Sequence, residues 1–184
     1  MKRLFDILVS GLLLLIFSPV LMAVAIAVRV DSPGPIIYRQ TRVGRNLHPF
    51  RIYKFRSMVS NADQIGGHST AQGDARVTKV GRFIRKTSLD ELPQLTNVLK
   101  GDMSLVGPRP DVPAQEALYA PEDWIKRHRV RPGITGLAQA TVRSAAKPEE
   151  RTRLDLEYVE TASLRKDLII LGLTARQVLM RGSH

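Results

Sequence analysis

No cysteine occurs anywhere in the 184 residues, which excludes disulfides, thiolate metal sites and cysteine nucleophiles together. Aromatic residues are scarce, at 5%, and form no stacking cluster; no zinc-finger, homeodomain or RNA-recognition signature accompanies them, so a nucleic-acid reader is disfavoured. His48, His68 and His128 have no partner at metal-ligand spacing. Acidic side chains are few beside the basic ones, 17 against 28, a formal charge of +11. Such an imbalance points to anionic partners, nucleotide phosphates or lipid headgroups. Internal repeats and low-complexity tracts are also missing, and the length suits one domain of ordinary size.

What the chain does have is an apolar run from Leu4 to Val30, broken only by Asp6, Ser10, Gly11, the Ser18-Pro19 pair and Arg29. As a straight helix it would reach about 40 Å, enough to cross a hydrocarbon core of about 30 Å. Pro19 prevents that, because it has no N–H for the carbonyl of Leu15 and its ring collides with that turn. The kink leaves arms of about 21 Å and 17 Å, neither of which crosses alone. The Ser18 hydroxyl or a trapped water is the expected partner for the freed carbonyl. Lys2 and Arg3 precede the run and Arg29, Arg39, Arg42, Arg45, Arg51, Lys54 and Arg56 follow it. Basic flanks mark the cytoplasmic side. A re-entrant helix that dips into one leaflet and returns satisfies both flanks, and is expected ahead of a kinked full span. A cleaved signal peptide fits less well, for want of a small-residue cleavage site.

Beyond the turn-rich Asp31–Pro35, Ile36–Tyr38 and Phe50–Phe55 read as two short strands around a glycine-containing turn, a candidate hairpin. Ser60–Arg76 is a polar loop, either a lid over a substrate or a plain surface connection. Val77–Ile84 and Leu92–Leu99 are expected helices, the second stopped by Gly101; Met103–Val106 is an expected strand. Pro113 and Pro121 sit where helices begin. Leu137–Val142 reads as a strand and Pro148–Ala162 as a charged helix. The closing Leu164–Met180 helix would lie against either a membrane surface or the domain core.

Chemistry concentrates at Ser88-Leu89-Asp90-Glu91, two adjacent carboxylates among Lys79, Arg82, Arg85, Lys86, Lys100 and Arg109. Ser88 with Glu91 fits a capping box. With Pro93 in the first turn, Asp90 itself could be the N-cap. In either register the helix dipole would keep Asp90 ionised, suiting it to act as a nucleophile or metal ligand; capping alone is the rival reading. Lys54 and Arg56, two apart on a strand, would face the same way and grip one diphosphate, or form a basic edge against anionic lipid. Arg109 is pinned between Pro108 and Pro110, so its guanidinium has little entropy to lose on meeting phosphate. Carboxylate oxygens favour magnesium over zinc.

These residues resemble the bacterial sugar transferases of the small monotopic phosphoglycosyl transferase family, over nearly the whole chain. The resemblance rests on the Ser18-Pro19 break, Tyr53-Lys54-Phe55-Arg56-Ser57-Met58, Ser88-Leu89-Asp90-Glu91-Leu92-Pro93-Gln94 and Lys100-Gly101-Asp102-Met103-Ser104. It rests further on Val106-Gly107-Pro108-Arg109-Pro110 and Arg131-Pro132-Gly133-Ile134-Thr135-Gly136. It implies an enzyme that moves a phosphosugar from a UDP-sugar to polyprenol (undecaprenyl) phosphate, releasing UMP, with Mg2+ as cofactor. Asp90 would form the covalent intermediate and Glu91 support it, both as metal ligands. Lys54, Arg56, Arg85, Arg109 and Arg143 would bind substrate. The implied place is the cytoplasmic face of a bacterial inner membrane. One departure is Val142, which stands where the family pattern has glycine and bears on Arg143 beside it. No motif reads a hydroxyl or acetamido group of the sugar.

The expected fold is α+β: a re-entrant, kinked membrane helix over 1–30, then a small, mostly helical cytoplasmic catalytic domain over 31–181. That domain is expected to hold a short β-hairpin or small sheet and interfacial amphipathic helices, with 182–184 a tag remnant. The competing readings are a peripheral membrane module that binds anionic lipid without catalysis and a glycosyltransferase that would release UDP.

Overall fold

Pro19 breaks the apolar run as its chemistry requires. Helix α1 spans Lys2–Ile16 and α2 spans Ser18–Asp31, bent by 63° in this computed structural model. The Ser18 hydroxyl donates to the Leu15 carbonyl at 2.8 Å, replacing the bond that the proline ring forbids. Among the described residues no single helix is long and apolar enough to cross a membrane. The structure describes residues 1–65, 73–142 and 147–181; Arg143, the expected tag remnant 182–184 and part of the expected loop Ser60–Arg76 (66–72) lie outside them.

Two faces divide α1. Leu4, Leu8, Leu12 and Leu15 stay exposed, at the spacing of one helical stripe. Opposite them, Asp6 and Ser10 are buried, and Phe5, Val9 and Leu13 pack on the domain core. Asp6 accepts from the Leu105 N–H at 3.2 Å, which gives a carboxylate in an apolar helix its partner. Lys2 and Arg3 are more than flanking charges. Arg3 donates to the Val98 and Leu99 carbonyls at 2.6 and 2.9 Å, while Lys2 pairs with buried Asp167.

Strands β1 (Ile37–Val43) and β2 (Pro49–Phe55) form the antiparallel hairpin, with Tyr38 opposite Lys54 and Arg42 opposite Phe50. A short helix α3 (Ala62–Ile65) precedes α4 (Lys79–Lys86) and α5 (Gln94–Lys100). Gly101, at φ 95°, ends α5 in the left-handed conformation that glycine tolerates. Asn97, fully buried in α5, accepts from the Tyr53 N–H at 3.0 Å and donates to the Arg51 carbonyl at 2.8 Å. Its amide thus takes the place of a third strand on the free edge of β2.

Strand β3 (Ser104–Val106) runs parallel to β4 (Gly133–Thr135), with α6 (Pro121–Arg127) between them in sequence. The backbones approach closely enough that a Cβ on Gly133 would fall 2.1 Å from the Gly107 nitrogen. Gly133 therefore admits no side chain. The expected strand Leu137–Val142 is instead helix α7 (Leu137–Thr141). Short apolar runs do not distinguish the two by periodicity; Leu137, Ala138, Gln139 and Ala140 are strong helix formers, and Ala138 and Ala140 are buried. Val142 has φ −106°, an ordinary value, so glycine is not required there.

Helices α8 (Pro148–Thr161) and α9 (Leu164–Arg181) close the chain. One core gathers Ile52, Leu95, Val98, Met103, Val106, Tyr158 and Ile170; burial of each large apolar side chain contributes about 1.5–3 kcal/mol. A second joins Val24 and Val28 of α2 to Phe55 and Ile84. Helix α9 packs on the domain core through Ile170, Leu171 and Leu173, as one of its two expected readings had it, and leaves Leu168, Ile169 and Val178 exposed.

Arg56 departs from its expected place. Strand β2 ends at Phe55, and the Arg56 guanidinium turns back to donate to the carbonyls of Val28 (3.2 Å), Ser32 (2.6 Å) and Pro33 (3.1 Å). It caps the end of α2. Arg56→Ala strands these acceptors and should cost about 2–5 kcal/mol, read as a lowered melting temperature in detergent; an unchanged melt would refute the cap.

Candidate active site

Between α4 and α5 the chain makes a single 3-10 turn, Leu89–Glu91, entered through Ser88 at φ 59°, ψ 16°. Left-handed backbone at a non-glycine residue costs roughly 1–3 kcal/mol and clusters where function demands it. The expected capping box does not form, since the Ser88 side chain makes no cap bond. Nor is Asp90 an N-cap, for Pro93 holds that position in α5. The reason is electrostatic. Glu91 Oε1 accepts from Lys54 Nζ at 2.7 Å and from Arg109 Nη2 at 2.8 Å, two charge-assisted bonds that outweigh one bond to a backbone amide.

Both carboxylates open into a cavity of about 530 Å³. Its walls come from β1, β2, the Ser57–Ala62 segment, the 88–91 turn and Arg109. Four of the expected residues meet there with the dyad: Lys54, Arg56, Arg85 and Arg109. Arg56 lines the wall with its guanidinium committed to α2. Arg85 is aimed by Ser57, whose Oγ accepts from Arg85 Nε at 2.7 Å. Arg109 reaches the site from the Pro108–Pro110 turn with its side chain 51% exposed. Lys100 lies elsewhere, its ammonium 2.9 Å from the Tyr53 hydroxyl and 4.6 Å from that ring's centre.

Ser57, Gln40, Arg42 and Arg76, none of them an expected site residue, also line the cavity. Tyr38, Gln40 and Arg42 alternate along β1 and face the cavity together. That period-two pattern is the signal in the sequence, and it shows only when the strand runs on past Tyr38 to Val43.

The two carboxyls, adjacent in sequence, are driven apart in acidity. Burial and then the neighbouring Glu91 charge push Asp90 up to about 6, against the pull of Lys54, Arg85 and Arg109. The dipole expectation, an Asp90 held readily ionised, is thereby corrected: the turn before α5 is too short to offset desolvation. Glu91 goes the other way. Burial opposes its charge, yet Arg109 and Lys54 hold it down to about 2. Among the described residues no group of three or more His, Cys, Asp or Glu could hold a metal. Two carboxylates in a cavity lined by cations still match magnesium, which takes one or two protein oxygens and fills its shell with phosphate and water.

The family model described as bacterial sugar transferase matches residues 1–181. The chain is 48% identical over 182 residues to the UDP-glucose:undecaprenyl-phosphate glucose-1-phosphate transferase of Escherichia coli (strain K12), covering 95% of this chain and 39% of that protein. Identity is 45% to the UDP-N-acetylgalactosamine-undecaprenyl-phosphate N-acetylgalactosaminephosphotransferase of Aeromonas hydrophila, over 97% of this chain and 43% of that one. The exopolysaccharide production protein PSS of Rhizobium leguminosarum bv. phaseoli is 42% identical, over 99% and 96% of the two chains. The chain thus spans about two fifths of the first two relatives and nearly all of the third.

The opposed acidities carry a sign that stability measurements read. An Asp90 raised to about 6 destabilises the fold above that pH, and the penalty vanishes as pH falls towards 4. Asp90→Asn should therefore stabilise the protein at pH 7 by about 1–3 kcal/mol and match the wild type near pH 4. Glu91, held at about 2, stabilises the fold at neutral pH and loses that contribution as pH falls below its unfolded value, so Glu91→Gln should be destabilising at pH 7. Denaturant melts at the two pH values check both; a destabilised Asp90→Asn at pH 7 would contradict the first.

Proposed function

This chain belongs to the bacterial sugar transferase family, and we propose that it transfers a phosphosugar from a UDP-sugar to undecaprenyl phosphate, releasing UMP, through a covalent intermediate on Asp90. The observation that carries the reading is the cavity in which Asp90 stands beside Glu91, Lys54, Arg85 and Arg109. An anionic carboxylate attacks an anionic diphosphate only where fixed positive charge screens the approach. Glu91 supplies that by gathering Lys54 and Arg109 on one oxygen before substrate arrives. Each retains further N–H donors for phosphate oxygens.

An Asp90 oxygen attacks the sugar-bearing phosphorus, the bond from that phosphorus to the bridging oxygen breaks, and UMP leaves. Arg109 and Lys54, bonded to Glu91, and Arg85, held by Ser57, line the same cavity and would meet the phosphate under attack. An oxygen of the lipid phosphate then attacks the same phosphorus and frees the Asp90 carboxylate, giving a diphosphate-linked sugar. Splitting the transfer in two lets one cavity serve both anions in turn. Asp90 and Glu91 would hold a magnesium ion, which when bound supplies charge neutralisation at phosphate oxygens.

The bent helix pair is read as re-entrant, with the domain on the cytoplasmic face. Its arms hold 15 and 14 residues, about 22 and 21 Å, short of a 30 Å core. Both ends fasten to one domain: Lys2 and Arg3 at the start, Asp31 and Arg56 at the finish. A span would part those ends across the bilayer.

In nanodiscs with magnesium, undecaprenyl phosphate and a panel of UDP-sugars, one sugar nucleotide should yield UMP. Release of UDP would identify a direct glycosyl transfer, and no release a lipid-binding module. Asp90→Asn should lower turnover by about three orders of magnitude or more; wild-type turnover would sink the nucleophile. With Asp90 at about 6, kcat/KM should fall about tenfold per pH unit below that value, as the nucleophile is protonated. Because cysteine is absent, a cysteine inserted after Met1 and, separately, Arg39→Cys give clean topology probes. Neither should react with an impermeant maleimide in intact cells, and labelling of either would exclude the re-entrant path.

A further inference from the structure

Pro108-Arg109-Pro110 presents a hydrogen-bonding problem that its neighbours solve one carbonyl at a time. The two prolines donate nothing, and the turn belongs to neither sheet. Four successive carbonyls are nevertheless taken, each by a different residue. Pro108 O accepts from the Gly133 N–H at 2.9 Å, Arg109 O from Arg127 Nη2 at 2.8 Å, Pro110 O from Arg42 Nη1 at 2.8 Å, and Asp111 O from the Val43 N–H at 2.9 Å. The donor at Arg109 itself is the least expected. Arg127 belongs to α6, is only 4% exposed, and contributes no atom to the cavity wall.

Arg127 is itself held on three sides. Asp155 Oδ2 of α8 accepts from its Nε at 3.0 Å and its Nη2 at 2.7 Å, Asp111 accepts from Nη1, and its guanidinium carbon stands 5.6 Å from the Tyr119 ring centre. One planar cation thus ties α8, α6 and the two ends of the Arg109–Asp111 turn together. Lysine would not reproduce this, since one ammonium cannot present fixed, coplanar donors to Asp155, Asp111 and the Arg109 carbonyl at once. Burying an arginine with two carboxylates is costly, and an apolar trio would fill the space at lower cost. The geometry points to a use for the charge.

We infer that Arg127 is a positioning residue: through the Arg109 carbonyl it sets the angle at which the half-exposed Arg109 side chain meets Glu91 and the phosphate undergoing attack. This rests on the proposed role of Arg109 as a phosphate contact. An Arg109 freed at its backbone would still reach the cavity, but its fork would no longer be fixed beside the phosphate that accepts Asp90. The effect falls on the sugar-bearing phosphate and spares the nucleoside phosphate.

UDP and UMP differ by that phosphate, and calorimetry of both on the full chain in nanodiscs with magnesium tests the inference. Arg127→Lys should weaken UDP about tenfold and UMP less than twofold. In an Arg109→Lys background, the same change should cost UDP less than twofold. Asp155→Asn, which loosens the seat of Arg127 without touching the turn, should give the same pattern in milder form and guards against a lysine variant that fails to fold. Equal weakening of both nucleotides, or an undiminished UDP loss in the Arg109→Lys background, overturns the inference while leaving Arg109 as a phosphate contact. Wild-type UDP binding by Arg109→Lys would instead remove the phosphate contact, and the positioning role with it.

Discussion

The amide of Asn97 decides where everything else stands. Buried in α5, it closes the free edge of β2 with one donor and one acceptor. That fixes the hairpin against the helix that follows the Asp90-Glu91 turn, and so brings Lys54, 37 residues away in sequence, to 2.7 Å from Glu91. A buried primary amide meets this demand because it pairs with N–H and C=O alike. An apolar residue there would keep the packing and lose the register. Without that register the cations of β2 and the carboxylates before α5 would have no reason to share a cavity.

Within the cavity, two neighbouring carboxyls with the same intrinsic chemistry acquire different duties from their surroundings. Glu91 is saturated with positive charge and stays ionised at any physiological pH. Asp90 is desolvated beside a like charge and becomes more basic than an ordinary aspartate. Environments that push paired groups apart in this way are the mark of divided acid, base and nucleophile roles. The organising group is Glu91. The reactive one is Asp90, whose basicity comes first from burial and then from the permanent charge of Glu91 beside it.

Much of this was legible in the sequence, and the exceptions share a cause. Pro19, Gly101, Pro113 and Pro121 act through their own backbone chemistry, and each marks the break, stop or start expected of it. The dyad and Arg109 were conspicuous as charge against proline or against the opposite charge. Three features depended on partners remote in sequence. Strand alternation gives Arg56 one direction, but its place is set by carbonyls in the last turn of α2 and just beyond it, Val28 and Ser32. The capping box matched a local pattern that lost to two distant cations. Leu137–Thr141 was a short apolar run whose helix or strand character hung on its packing. Arg127 gave no sign at all, because nothing in a lone arginine near the start of a loop foretells two buried carboxylates and a carbonyl.

The inward stripe of α1 carries a constraint on length. Asp6 and Ser10 point into the domain while Leu4, Leu8, Leu12 and Leu15 point away, and Lys2 and Arg3 anchor the first turn. One inserted residue turns everything beyond it by about 100° and advances it about 1.5 Å. An insertion between Arg3 and Asp6 would carry that carboxylate off the Leu105 amide and towards the exposed leucine face. Gradual lengthening of this arm is therefore not tolerated. Changes in whole turns, near 3.6 residues, preserve its inward face, so insertions of three or four residues are the variants that such an arm can accept.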